Sequence, residues 1–120
     1  MEPAEFERIM EHQFDVCARM LGAKAEEYAP GVDRLHNFRV AATVRNTTPA
    51  QALAGMMLKH TVSIYDAIDA DVLPPLFLLE EKITDHINYL VLLMAIVRDE
   101  DLSMDRNNQA DTPTNKDEDS

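Results

Sequence analysis

Apolar residues recur at every third or fourth position over most of this chain of 120 residues. That spacing places them along one face of an α-helix, whereas a half-buried strand would show alternation at every second position. The chain contains three glycines and no tryptophan, and its apolar residues are mainly Leu, Ala, Met, Val and Ile. This composition favours helices over strands. The sequence therefore predicts an all-α fold.

Capping and helix-breaking residues divide the apolar pattern into separate helices. Thr48, followed by a proline and then by Gln51, has the signature of a capping box at a helix start. Asp33 is a candidate cap for a short second helix, and Pro74-Pro75 interrupts the apolar pattern before the fourth helix. The predicted helices cover residues 3–28, 34–44, 49–69 and 78–98.

The composition changes after residue 98, which predicts a domain boundary. Residues 1–98 form one all-helical domain, and residues 99–120 carry eight acidic against two basic side chains. Such a segment buries too little apolar surface to offset the entropy of ordering, so we predict an acidic disordered tail. For residues 1–98 we expect a bundle of four to five helices. The last helix is apolar almost all round, which predicts that oligomerisation completes this bundle.

The net charge of −11 restricts the partners. An acidic body disfavours binding to nucleic acid and to anionic membranes, and the longest apolar run, residues 90–97, is too short to span a bilayer. The single cysteine excludes an intrachain disulfide and the acidic N-terminus lacks a signal core, which together predict a cytoplasmic protein. A small anionic ligand stays compatible with this charge, because local cations or a bound metal can reverse the sign of a pocket.

Polar residues form columns on two helices that are otherwise largely apolar. The columns are Glu81, Asp85 and Asn88 on the fourth helix, and Lys59, Ser63 and Asp66 on the third. Each column has the spacing i, i+4 and i+7, which keeps its members on one face. Since burying unpaired charge costs free energy, these columns should pair with one another or face a hydrated pocket.

Carboxylates from two helices can together hold a divalent cation. Mg²⁺ prefers oxygen ligands in octahedral geometry and usually keeps several waters. Glu81 and Asp85 would supply two ligands, and Asp66 or the Glu26-Glu27 pair would supply others. A metal-bound water can then attack a phosphoryl group.

Lys59 is placed for a phosphate oxygen in this scheme, and His60 follows it directly. The alternative is a surface ion pair between Glu81 and Lys59, which would contribute little. Neither the four histidines nor the single cysteine has the spacing of a zinc site.

Several short motifs follow one another along the chain. They are Lys24-Ala-Glu-Glu27-Tyr28-Ala29, Asn37-Phe38, Lys59-His60 with Asp66, and Glu81-Lys-Ile-Thr-Asp85-His-Ile-Asn88-Tyr89. Over residues 20–98 the chain thereby resembles small phage and bacterial proteins of the nucleotide-modification-associated type. Those proteins in turn resemble the all-α nucleoside triphosphate pyrophosphohydrolases of the MazG and dimeric dUTPase group.

The resemblance implies a MazG-like four-helix core that forms a dimer or a higher homo-oligomer. It also implies a phage-type enzyme, working in the host cytoplasm, that cleaves a (deoxy)nucleoside triphosphate between its α and β phosphates with Mg²⁺. The candidate catalytic residues are Glu81 and Asp85. The candidate Mg²⁺ ligands are Glu27, Asp66, Glu81 and Asp85. The candidate substrate-binding residues are Tyr28, Asn37, Lys59, His60 and Asn88.

The spacing of the acidic residues departs from the pyrophosphohydrolase pattern, which has E-x-x-E followed by E-x-x-D. Here three residues separate Glu81 from Asp85, and Glu26 and Glu27 are adjacent. One alternative is therefore a counter-defence sponge that captures a nucleotide or a nucleotide second messenger without cleaving it. Another is a structural helical oligomer, in which the polar columns pair across an interface.

Overall fold

The computed structural model describes residues 1–28 and 33–111, and within them the chain forms four α-helices and no strand. The helices are α1 (Pro3–Tyr28), α2 (His36–Arg45), α3 (Pro49–Asp69) and α4 (Leu76–Asp111). Side chains are described for these residues except residues 25–28, 103, 110 and 111. The predicted all-α fold is confirmed.

The predicted bounds of α1 and α3 are confirmed as well. At the start of α3 the Thr48 hydroxyl accepts a hydrogen bond from the backbone N–H of Gln51 at 3.1 Å. In return, the Gln51 side chain accepts one from the backbone N–H of Thr48 at 3.0 Å. This reciprocal capping box satisfies N–H groups that a helix start leaves without intrahelical partners.

α2 begins at His36 and not at residue 34 as predicted. Asp33 is the reason, because its side chain accepts a hydrogen bond from the backbone N–H of Leu35 at 3.0 Å and so stabilises a turn ahead of the helix. Leu35 occupies the N-cap position without a side-chain cap. α2 ends at Arg45, and the following C-cap residue, Asn46, has a positive φ of 55°, a conformation that asparagine tolerates better than most residues.

α4 is longer than predicted at both ends, since it begins at Leu76 and continues to Asp111. Residues 99–111, predicted as part of a disordered tail, are therefore helical. Adding residues to an existing helix avoids the cost of nucleation, and Arg39 of α2 forms an ion pair with Asp99 that ties this extension to the bundle. Residues 112–120 of the predicted tail lie outside the described residues.

α3 and α4 pack against each other as an antiparallel pair. Their side-chain contacts run in opposite order along the two helices: Ser63 with Lys82, Thr61 with His86, and His60 with Tyr89. α2 packs on α3, and residues from α2, α3 and α4 join in one buried group. We call this group the apolar cluster, and it consists of Leu35, Phe38, Leu53 and Ile96.

α1 meets α4 through polar contacts. The amide of Gln13 donates a hydrogen bond to the hydroxyl of the buried Thr84 at 2.8 Å, and Lys24 forms an ion pair with Asp85 at 3.2 Å. We call these four residues the polar seam. Cys17 is buried beside it, as its place in the apolar stripe predicted.

The first half of α1 carries an exposed apolar stripe. Its large side chains are between 41% and 59% exposed: Phe6, Ile9, Met10 and Phe14. The expected homo-oligomer stays a prediction. None of the described helices is long and apolar enough to span a membrane.

Candidate functional site

A pocket opens where α1, α2 and α4 meet, with one wall residue from α3. Its volume is about 350 Å³, which lies in the range of small-molecule sites. The apolar wall residues are Leu21, Phe38, Met56, Tyr89 and Leu92. The polar wall residues are Lys24, Arg34, Asn37, Asp85 and Asn88. We call this cavity the central pocket.

Asn88 is the most unusual residue of the central pocket. Its side chain is 6% exposed, and neither the amide nitrogen nor the amide oxygen has a hydrogen-bond partner within residues 1–28 and 33–111. Asn88 follows Thr84 by one helical turn, so the side of α4 that faces α1 carries two successive buried polar groups. Nearly all buried polar groups in proteins are hydrogen-bonded, and an unpaired amide in a pocket wall is therefore a candidate ligand contact.

Two cations stand at the α1 side of the central pocket. The Lys24 ammonium lies 3.2 Å from a carboxylate oxygen of Asp85, which is 20% exposed against 44% for Lys24. The Arg34 guanidinium donates a hydrogen bond to the backbone carbonyl of Leu21 at 3.1 Å. Asp85 balances the charge of Lys24, whereas no carboxylate of the described residues pairs with Arg34.

The structure brings three of the predicted site residues together in the central pocket: Asn37, Asp85 and Asn88. It adds Lys24 and Arg34, which were not among the predicted site residues. The sequence holds a signal for Lys24, because this residue opens the first motif and lies one turn after Leu21 on α1. For Arg34 there is no comparable signal, since it precedes α2 and belongs to no periodic pattern.

Other predicted site residues lie elsewhere. Glu81 and Asp66 are exposed, and neither forms an ion pair with a described residue. The alternative pairing of Glu81 with Lys59 is not seen either, and Lys82 instead donates a hydrogen bond to Ser63.

The predicted metal site gains no support from the side chains that are described. No three His, Cys, Asp or Glu residues among them are grouped as a metal ion would require. The side chains of Glu27 and Tyr28, predicted as a metal ligand and a substrate contact, lie outside the described ones. Magnesium binding by Glu27, Asp66, Glu81 and Asp85 therefore stays a prediction.

A second cavity of about 390 Å³ shares two wall residues, Met56 and Tyr89, with the central pocket. Its other walls come from α2 and α3: Ala41, Arg45, Ala52, Gly55, Lys59 and His60. We call it the basic groove. The His60 ring packs against the Tyr89 ring with 4.8 Å between their centroids.

Lys59 and His60 were predicted to bind substrate beside Asp85 and Asn88. They line the basic groove instead, and the central pocket contains neither of them. The spacing of Lys59, Ser63 and Asp66 predicted that these three residues share one face of α3. It could not predict which neighbouring helix that face meets.

Comparisons of the chain with protein-family models, with curated proteins and with solved structures gave no match. The resemblance to the MazG group is thus neither supported nor refuted by them. Function has to be inferred from the geometry of the cavities.

Proposed function

We propose that the protein binds a nucleotide in the central pocket, with the base against Asn88 and the anionic end near Arg34 and Lys24. The observation that carries this proposal is the buried, unpartnered amide of Asn88. An amide presents one acceptor and a donor side by side, and the edges of nucleobases present complementary pairs of such groups. A base could therefore satisfy both free atoms of Asn88 at once.

The apolar walls suit the faces of a planar base. Tyr89 and Met56 line the pocket from α4 and α3, and Leu92 lies one turn after Asn88 on α4. Bases stack favourably on aromatic side chains, and this contact depends little on which base is present. The edge contact with Asn88 would then select among bases, while the walls contribute affinity.

The cations suit the anionic end of the ligand. A guanidinium presents a planar fork of donors that matches two oxygens of a phosphate, and a lysine acts as a compact point charge. Arg34 is anchored to α1 through the carbonyl of Leu21, so its position is partly fixed before a ligand arrives. These local cations provide attraction for an anion on a protein whose net charge is −11.

Binding without cleavage is the better supported version of this proposal. A Mg²⁺-dependent pyrophosphohydrolase needs several carboxylates around the ion. Asp85 is paired with Lys24, and Glu81 and Asp66 are exposed. Cleavage by Glu81 and Asp85 stays a prediction that the same experiment tests.

The experiment is a calorimetric titration with the mono-, di- and triphosphates of each nucleoside, in Mg²⁺ and in EDTA. We expect one base to bind best, binding to persist in EDTA, and the nucleotide to be recovered intact by chromatography. Asn88→Leu should weaken binding of the preferred nucleotide by about 5- to 150-fold, the loss of one bidentate base contact at about 1–3 kcal/mol. Circular dichroism checks that this variant is folded.

Glu81→Gln is the matched control, because Glu81 is exposed on the same helix and does not line the pocket. It should leave nucleotide affinity unchanged. Release of pyrophosphate that Glu81→Gln abolishes would instead support the hydrolase. The proposal is wrong if no nucleotide binds at millimolar concentration, or if Asn88→Leu binds every nucleotide as the unmodified protein does.

A further inference from the structure

The basic groove is lined by donors that have no acceptor among the described residues. Its polar wall residues are Arg45, Lys59, His60 and Tyr89, each of which can donate a hydrogen bond. Within the described part of the chain none of the four forms a hydrogen bond or an ion pair through its side chain. The four donors are therefore available to a ligand.

The charge of the groove differs from that of its surroundings. Among the described side chains no carboxylate lines it, although the chain has twice as many acidic as basic residues, 22 against 11. Other cations are neutralised locally, such as Arg19 by Asp15 and Arg39 by Asp33. Neither Arg45 nor Lys59 pairs with a carboxylate of the described residues.

The shape of the groove leaves room between these donors. Arg45 projects from the end of α2 and Lys59 from the middle of α3, so they can approach a ligand from two helices. The wall between them includes the small residues Ala41, Ala52 and Gly55, and a Cβ built at Gly55 would meet no atom within 4 Å apart from the neighbouring backbone of its own helix. A compact group of atoms can therefore reach the donors from solvent.

We propose that the basic groove is a second ligand site, which binds a compact oxyanion of the phosphate class. The fork of Arg45 would hold two oxygens, Lys59 would supply a second charge, and His60 and Tyr89 would donate to the remaining oxygens. The central pocket differs because it contains a carboxylate, Asp85, beside its lysine. The inference depends on the groove's own donors and not on the nucleotide proposed for the central pocket.

Pyrophosphate is the probe, titrated into the full chain by calorimetry at low and at physiological ionic strength. We expect binding that weakens with salt, and at least a tenfold loss of affinity in Arg45→Gln/Lys59→Gln. The control is Arg8→Gln/Arg106→Gln, which removes the same two charges from exposed positions outside both cavities and should bind as the unmodified protein does. Gly55→Leu, a larger side chain in open space, should block the groove without a change of charge.

Three results would overturn the proposal. The first is no pyrophosphate binding at millimolar concentration, the second is an equal loss of affinity in both double variants, and the third is abolition of pyrophosphate binding by Asn88→Leu alone. Loss of nucleotide binding in Asn88→Leu with pyrophosphate binding intact would leave this inference standing, so the two proposals fail separately.

A titration with nucleotide already bound identifies the source of the anion. Unchanged pyrophosphate affinity would indicate a free anion. Competition, together with weaker nucleotide binding by Arg45→Gln/Lys59→Gln, would indicate the phosphates of the nucleotide itself, whose anionic end would then lie at Arg45 and Lys59 and not at Arg34 and Lys24. Both results support an oxyanion in the groove.

Discussion

α4 contacts its neighbours in two chemically different ways. Towards α2 and α3 it contributes Ile96 to the apolar cluster, in which Leu53 is completely buried. Towards α1 it contributes Thr84 and Asp85 to the polar seam, where Gln13 and Lys24 meet them through a hydrogen bond and an ion pair. The apolar cluster removes its side chains from solvent, whereas the polar seam leaves charged groups partly exposed beside a pocket.

This difference separates stability from binding. Burying apolar side chains stabilises a fold without offering directional contacts to a ligand. A polar contact contributes less to stability, but it holds donors and acceptors in defined positions. The described buried polar side chains, Thr84 and Asn88, both lie on the α1 side of α4. We therefore expect the apolar cluster to determine global stability and the α1 side to determine ligand binding.

Leu53→Ala should have the largest effect on the apolar cluster. Removing a fully buried leucine creates a cavity and should lower the free energy of unfolding by about 2–5 kcal/mol, measured by urea denaturation. Leu58→Ala on the same helix is the control, because Leu58 is 60% exposed and its loss should change stability by no more than about 0.5 kcal/mol. Equal effects of the two variants would contradict the assignment of stability to the apolar cluster.

Gln13→Leu tests the polar seam. It leaves the buried hydroxyl of Thr84 without its Gln13 partner and should lower stability by about 1–3 kcal/mol. Because the seam joins only α1 to α4, we expect faster amide hydrogen exchange mainly in α1. Adding Thr84→Val should recover part of the loss by removing the unpaired group. A uniform rise in exchange across all four helices would show that α1 does not open separately.

The sequence predicted the helices well because their signals are local. The apolar period and the capping box of Thr48 depend on residues close in the chain, and the bounds of α1 and α3 followed from such signals. The ends that were wrong depend on contacts. Asp33 turns back onto Leu35 before α2, and Arg39 pairs with Asp99 beyond the predicted end of α4.

The site was predicted only in part, for a geometric reason. Spacing along α4 placed Asp85 and Asn88 on one side of the helix, and the structure finds both in the central pocket. The partner of Asp85 depends on how α1 crosses α4, which periodicity does not determine, and Lys24 was missed as a result. Lys59 was assigned to the same site although it faces the other cavity.

Asp85→Asn should have the smallest effect on stability and the clearest effect on function. The ion pair with Lys24 is partly exposed, so its loss should lower the free energy of unfolding by no more than about 1 kcal/mol. The Lys24 ammonium would lose its counterion, and affinity for an anionic ligand should rise by up to about fivefold. The hydrolase hypothesis instead predicts that Asp85→Asn abolishes turnover, because in that hypothesis Asp85 holds the metal.

Three further variants isolate the ion pair in this last test. Asp69→Asn, at an exposed position outside both cavities, removes the same charge and measures the effect of net charge alone. If the carboxylate acts only through the lysine, Lys24→Met and Lys24→Met/Asp85→Asn should bind the ligand equally weakly. Weaker binding by Asp85→Asn in EDTA, with Asp69→Asn unaffected, would mean that the carboxylate itself contacts the ligand. Asp85 of the polar seam would then be a ligand contact, in addition to positioning Lys24.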